Sequence, residues 1–347
     1  MSVENSCIEF FETEISGLKK PWFNLGFFGV RSICSETSRP RTRTFYRNIF
    51  MTTAIDALIL AGDKEGYVSV HDRNKAFLSL KGKCLLEHVM EAVDRTQHVG
   101  NIFVVGPLDT LTSSINLSDY QKPVEFLPQS TSVIDNILTS YETIYSWDAD
   151  YPLLILPSDI PLTTPSEIDA FITGADYFKY DYVMGFQNEK ALRAFYPTET
   201  HDGIRMSYFY FKQFIGRHNN LHIVWPNRVK NVKLVNTTYN LRYQKKFQNY
   251  LKWVASIVPS TKGKGKILRL TLLMQLALIG DYMGVDRISK SLRPLMDIRE
   301  IEACISNALR IRFRVYCMDF GASAVDIDSE KDLAIISDRY NSWKNDR

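Results

Sequence analysis

Three short stretches carry the residue types best suited to chemistry. The first, LAGDKEGYVSVHDRNK over 60–75, follows an apolar run and ends at Lys75. Gly62 and Gly66 permit close backbone approach, nearby peptide N–H groups can face an anion, and Lys75 adds a full positive charge. It spells neither GxxxxGK[ST] nor GxGxxG, so read alone it is a strand, a surface turn and a helix. The second, LLILPSDIPLTTP over 153–165, sets Asp159 at the carboxyl end of a buried strand. A carboxylate there can hold Mg²⁺ on a polyphosphate, or simply cap the next turn. The third, VDIDSEKDL over 325–333, places Asp326 and Asp328 on a short extended segment. One of the two is expected to face the ligand side; the alternative is a loop that both decorate.

These stretches need elements to hold them, and the hydrophobic pattern supplies an alternating series. IDALILAG reads as a buried strand and CLLEHVMEAVDRT over 84–96 as an amphipathic helix. NIFVVGP over 101–107 is a strand, SVIDNILTSYETIYSW over 132–147 a helix, PLLILPSD a strand and DYVMGF over 181–186 a strand. TPSEIDAFITG over 164–174 starts as a helix with Thr164 at the cap, Pro165 in the first turn and Glu167 completing a capping box. Apolar strands alternating with helices predict an α/β three-layer sandwich with a mostly parallel central sheet, its ligands beyond the strands' carboxyl ends. The part over 205–300 differs: it is aromatic and basic, then helical, and reads as a helical insertion before a last strand-like segment and a helix capped at Ser329.

Composition narrows the class. The 347 residues can bury a full core, and no stretch of 18 uninterrupted apolar residues calls for a membrane span. Five scattered cysteines suit neither a disulfide framework nor a CxxC zinc site and point to a cytoplasmic, reducing compartment. His218 and His222 stand four apart without an intervening glutamate and are not read as a metal motif. The net charge of +3 conceals an asymmetry: residues 203–280 hold 14 Lys and Arg and no Asp or Glu. Such a region suits an anionic small molecule, with nucleic acid the least favoured partner. Peripheral membrane contact through the helix at 266–284 is less favoured than its burial, because its apolar residues run nearly all round. Residues 1–50 run from an acidic beginning to an Arg-rich stretch without a signal-peptide pattern, and read as a poorly ordered extension ahead of MTTAIDALILAG. A targeting or partner-binding tail is the alternative.

Taken in order, the stretches resemble a known family. Leu60-Ala61-Gly62, Lys75, Leu78, Gly82-Lys83 and Leu85-Leu86-Glu87, then LPSDIPL, then VDIDSEKDL, look like the MobA-like nucleotidyltransferases, a branch of the GT-A-like, Rossmann-like NTP transferase fold. STSVIDNILTSYE resembles the family's helix with an asparagine near the nucleotide, here Asn136. The likeness covers about 54–186 and 315–343, so 51–347 reads as one nucleotidyltransferase-like domain with 205–312 as its basic, helical acceptor side. It implies transfer of a nucleoside monophosphate from a nucleoside triphosphate to a phosphorylated or hydroxyl-bearing acceptor, with Mg²⁺ and release of pyrophosphate. It further implies Lys75 and Asp159 as catalytic residues, Leu60, Ala61, Gly62, Gly66, Lys75 and Asn136 around the nucleotide, and Asp159 with Asp326 or Asp328 at the metal. Asp63 and Asn74 depart from the family's glycine and its proline or histidine, and no arginine closely follows Gly66 (Arg73 is the nearby one). Those departures keep a non-catalytic nucleotide-binding relative as an alternative. A GT-A-type glycosyltransferase is another, although PSDIPL offers one aspartate where a DxD would be needed.

Overall fold

Ile55–Leu60 (β1) is buried almost throughout, the signature of a strand covered on both faces. The computed structural model describes residues 54–62, 74–232 and 264–345. After β1 come two short strands, Ser79–Leu80 (β2) and Lys83–Cys84 (β3), which pair as a small hairpin, then helix α1 (Leu85–Asp94). Next are β4 (Val99–Gly106), α2 (Leu108–Ser114), β5 (Val124–Pro128), α3 (Val133–Tyr145), β6 (Leu153–Pro157), α4 (Pro165–Gly174), β7 (Tyr182–Asn188) and α5 (Glu189–Leu192). The second half adds β8 (Phe209–Tyr210), β9 (Ile215–Val224), α6 (Lys264–Tyr282), α7 (Asp286–Leu292), α8 (Ile298–Leu309), β10 (Phe313–Met318) and α9 (Glu330–Asn345). Residues 1–50 lie outside the described residues.

The main sheet runs β10-β7-β9-β6-β1-β4-β5, with β8 hydrogen-bonded to β9. Every neighbouring pair is parallel except those made by β9, which is antiparallel to β6, β7 and β8. Alternation along β1 divides the core. Ile55, Ala57 and Ile59 join Leu86, Val89 and Met90 of α1 and Ile168, Phe171 and Ile172 of α4. Leu58 faces the other way, toward Leu127, Leu153 and the α3 residues Ile137 and Ile144. Helices therefore cover both faces, and the α/β three-layer, mostly parallel architecture expected from the sequence is the one observed.

Two features differ from expectation. The helical insertion is present as α6, α7 and α8, but the aromatic, basic stretch ahead of it also contributes β8 and β9 to the central sheet, which the sequence did not suggest. β9 escapes a hydrophobic-run reading because Arg217, His218, Asn219 and Asn220 interrupt it, yet all four are buried. The second concerns α6, expected to be buried all round. Leu270 and Ala277 are buried, whereas Leu268, Leu272 and Leu276 are exposed, so the helix packs on one side. No described helix is long and apolar enough to cross a membrane.

A candidate nucleotide site at the switch in strand order

The chain passes from β1 outward to β4 and β5, then returns to the opposite side of β1 as β6. Such a reversal opens a crevice beyond the strands' carboxyl ends. Here it lies where Leu60 pairs with Pro157 and the Ser158 N–H donates to the Leu60 carbonyl at 3.1 Å. Lys75 arrives from the segment after β1, Asp159 from the turn after β6, and Asp326 and Asp328 from the segment ahead of α9.

An apolar cluster fixes these segments relative to one another. Leu78 (three residues past Lys75), Leu162 (three past Asp159), Val325 and Ile327 are buried together with Ile336 and Trp343 of α9. Burying each such side chain contributes about 1.5–3 kcal/mol, so the charged residues ride on a well-anchored base. The Ile327 N–H also donates to the Asp159 carbonyl at 3.0 Å, zipping the third stretch to the second.

The polar residues then meet. Lys75 Nζ donates to Asp328 Oδ1 at 2.8 Å and lies 3.8 Å from Asp159 Oδ2. Burial works against the ammonium charge, but Asp159, Asp328 and Asp326 outweigh it and hold the Lys75 pKa above its ordinary value. Burial pushes the Asp159 carboxyl upward; Lys75 opposes this, while Asp326 and Asp328 add to it. Of the two aspartates of the third stretch, Asp328 pairs directly with Lys75, whereas Asp326 pairs with Arg217 at 3.1 Å and acts on Lys75 through its charge. Asp328 is set at the entry to α9, where its N–H donates to Asp332 Oδ2 at 3.2 Å and the Asp332 N–H to Ser329 Oγ at 3.2 Å. The Ser329 cap is therefore as expected.

The remaining candidates occupy the rim. Leu60 ends β1, and the Ala61 N–H donates to the Val105 carbonyl at 2.9 Å, so that amide serves the sheet. A Cβ on Gly62 would sit 3.2 Å from both Asn136 Nδ2 and Gln129 Oε1, which places Asn136 against the start of the loop. Asn136 Oδ1 accepts from the Ser130 N–H and so fastens the turn before α3. Gly66 and Asp63 lie outside the described residues.

Several residues hold the site through contacts that the sequence does not signal. Asn74 donates to the Ala61 carbonyl at 2.9 Å and accepts from the Ala76 N–H at 3.0 Å, so it joins the two ends of the 62–74 loop and caps the 75–77 turn bearing Lys75. Glu167 does not complete a capping box, although Thr164 caps α4 as expected. Instead its buried carboxylate accepts from the Gly321 N–H at 3.3 Å, the Ser323 N–H at 3.0 Å, the Ser323 hydroxyl at 2.7 Å and the Gln187 amide. Lys344 of α9 donates to the carbonyls of Pro161 and Thr163, both at 2.9 Å, and burial lowers its pKa to about 8. Contacts so distant in sequence leave no local pattern to read.

The arrangement suits a cation bound to phosphates. Mg²⁺ takes one or two protein carboxylates and completes its shell with water and substrate oxygens. Asp159 and Asp328 fit that set: both reach the Lys75 ammonium, and Asp159 Oδ1 is buried without a hydrogen-bond partner among the described residues. No larger group of His, Cys, Asp or Glu able to cage a metal occurs among the described residues.

Residues 57–216 match the family model of the MobA-like NTP transferase domain. A structure described as a hypothetical transferase from Thermus thermophilus aligns over 81% of this chain and 99% of its own at 18% identity and a TM-score of 0.58, a likeness of fold. CMP:2-keto-3-deoxy-manno-octonic acid synthetase complexed with CTP aligns over 83% and 99% of the two chains at 12% identity, with a TM-score of 0.45. For 4-diphosphocytidyl-2C-methyl-D-erythritol synthase from Anaerococcus prevotii the figures are 83%, 98%, 11% and 0.43. No curated protein matches the chain.

Proposed function

We propose, from the premise that residues 57–216 form a MobA-like NTP transferase domain, that this protein transfers a nucleoside monophosphate from a nucleoside triphosphate to an anionic small-molecule acceptor. An acceptor oxygen bonds to the α-phosphorus, the bond to the departing pyrophosphate breaks, and the acceptor's proton is lost to solvent or to a nearby base. The observation that carries this reading is the convergence of Lys75, Asp159 and Asp328, drawn from three separate stretches, at the switch in strand order.

The chemistry asks little covalent work of the protein; positioning and charge neutralisation supply most of the acceleration. Asp159 and Asp328 would hold Mg²⁺, which when bound screens the triphosphate's charge. Lys75 pairs with charge growing on the phosphates, and its raised pKa keeps it protonated throughout the neutral range. Asn136 and the backbone at Gly62 would contact the nucleoside, while Asn74 holds the loop ends closed behind it. The acid-free stretch 203–280, which overlaps the region 205–312, belongs to the proposed acceptor side, its cations suited to a phosphate- or carboxylate-bearing molecule. Cys84, Cys304 and Cys317 are free thiols, which supports a reducing, cytoplasmic setting.

The test is pyrophosphate release from a panel of triphosphates with phosphorylated sugars, polyols and phosphonates as acceptors. Turnover that needs Mg²⁺ and disappears in Asp159→Ala supports the reading. An Asp159→Ala protein as active as wild type sinks the assignment, and triphosphate binding without turnover across the whole panel points to a non-catalytic nucleotide-binding protein.

A further inference from the structure

Asp328 Oδ1 and Asp159 Oδ2 lie 2.8 and 3.8 Å from Lys75 Nζ, and the charge of Asp326 acts on the same ammonium. A second cation reaches Asp326. Arg217 Nη2 donates to Asp326 Oδ1 at 3.1 Å, and the two side chains are 4% and 11% exposed. The pair is single-armed, since Arg217 Nε is buried without a partner among the described residues. A distortion in β9 brings the arginine there. Met184 pairs with His222 but Phe186 pairs with His218, so Gly185 stands opposite extra residues. A Cβ on Gly185 would lie 2.1 Å from Asn219 Oδ1, so glycine makes room for the bulge. Asn220, at φ 62°, donates to the Ser323 carbonyl at 3.0 Å, so this part of β9 also holds the turn leading to Asp326.

The two aspartates of the third stretch consequently differ. Asp328 is 37% exposed and pairs with Lys75, a flexible ammonium that a metal can displace. Asp326 pairs with a guanidinium built into the sheet, a buried charge partner that a metal cannot readily displace. We propose that Arg217 is a positioning residue that withdraws Asp326 from the cation site and leaves Asp159 and Asp328 as the carboxylates that hold the divalent ion. The inference rests on the nucleotidyl-transfer reading and adds a division of labour to it. Arg217 sets how many carboxylates the metal sees, and so how tightly the ion is held between turnovers.

Titration of the full-length protein with Mn²⁺ alone, followed by electron paramagnetic resonance, tests this without turnover. Arg217→Met removes the guanidinium that holds Asp326 back, and the added carboxylate tightens Mn²⁺ binding by about tenfold. Asp326→Asn leaves the Mn²⁺ affinity within about threefold of wild type, and the double variant Arg217→Met/Asp326→Asn returns to that range. Weaker Mn²⁺ binding in Arg217→Met, unrecovered in the double variant, overturns the proposal, as does a loss of tenfold or more in Asp326→Asn, which would make Asp326 a ligand. Should Arg217→Met fail to fold by circular dichroism, Asp326→Asn and Arg217→Lys decide: both within about threefold of wild type support the proposal, and a larger loss in either overturns it. Failure of the nucleotidyl-transfer reading looks different, since the Mn²⁺ pattern would then hold while no triphosphate yields pyrophosphate.

Discussion

Glu167→Gln keeps the shape of a buried side chain and removes the charge that gathers the turn before Asp326. In the native arrangement the carboxylate is a pure acceptor. Oε1 receives the Gly321 N–H at 3.3 Å, the Ser323 N–H at 3.2 Å, the Ser323 hydroxyl at 2.7 Å and the Gln187 amide, while Oε2 receives the Ser323 N–H at 3.0 Å. An amide leaves one of these oxygens and puts an NH₂ where the other accepted, so donor faces donor. Hydrogen bonds to a charged group contribute about 1.5–3 kcal/mol against about 0.5–1.5 for neutral ones, and an orphaned buried donor costs about 1–3. The relief of no longer burying a charge offsets part of this, for a net loss of about 2–4 kcal/mol. Urea unfolding monitored by fluorescence and circular dichroism measures it, given coincident transitions. Because Gln187 and Ser323 are tied to the same group, the variant also loosens the segment carrying Asp326 and Asp328, and pyrophosphate release falls further than the folded fraction does. An unfolding free energy within about 0.5 kcal/mol of wild type would refute the reasoning, since it would mean that the carboxylate's hydrogen bonds contribute nothing beyond an amide's.

Three other expectations follow from the same geometry. Lys75→Met lowers the rate of pyrophosphate release by about a hundredfold or more while circular dichroism stays native, because it removes the fixed cation at the phosphates; an unchanged rate contradicts its role. Asn74→Ala frees the Ala61 carbonyl and uncaps the 75–77 turn, costs about 1–2 kcal/mol in urea unfolding, and raises the KM for triphosphate more than it lowers kcat. His222, hydrogen-bonded through Nδ1 to the Tyr182 hydroxyl at 3.0 Å, has its pKa lowered by burial to about 4. The unfolded chain then binds the proton first as pH falls from about 6.5 to 4, so stability present above pH 6.5 is lost through that window, by about 1–3 kcal/mol for this half-buried ring. His222→Gln flattens the urea-midpoint profile over that range, and a profile as steep as wild type contradicts the assignment.

Sequence patterning reached the sheet through the strands that are continuous apolar runs: β1, β4, β6, β7 and, less cleanly, β10. It missed β9 because hydrophobicity is a poor guide where a strand buries polar residues and satisfies them from other parts of the chain, as Asn220 does at Ser323. At the site, Lys75, Asp159 and Asp328 follow β1, β6 and β10 along the chain, and the architecture brings them together. Arg217, Glu167 and Lys344 act across separations of more than a hundred residues, which no local pattern encodes. Asn74 illustrates a different failure. Its spelling looked like a defect in the loop, whereas its side chain closes that loop.

The central claim is that Asp159, Asp328 and Lys75 hold a metal–triphosphate pair, and thermal denaturation with added nucleotide addresses it most directly. Triphosphate and Mg²⁺ together should raise the melting temperature by several degrees, as ligand in about hundredfold excess over its Kd stabilises by about 2.7 kcal/mol. Neither alone should match that shift, and Asp159→Asn should abolish it. A shift that is independent of Mg²⁺, or equal in Asp159→Asn, would contradict the account.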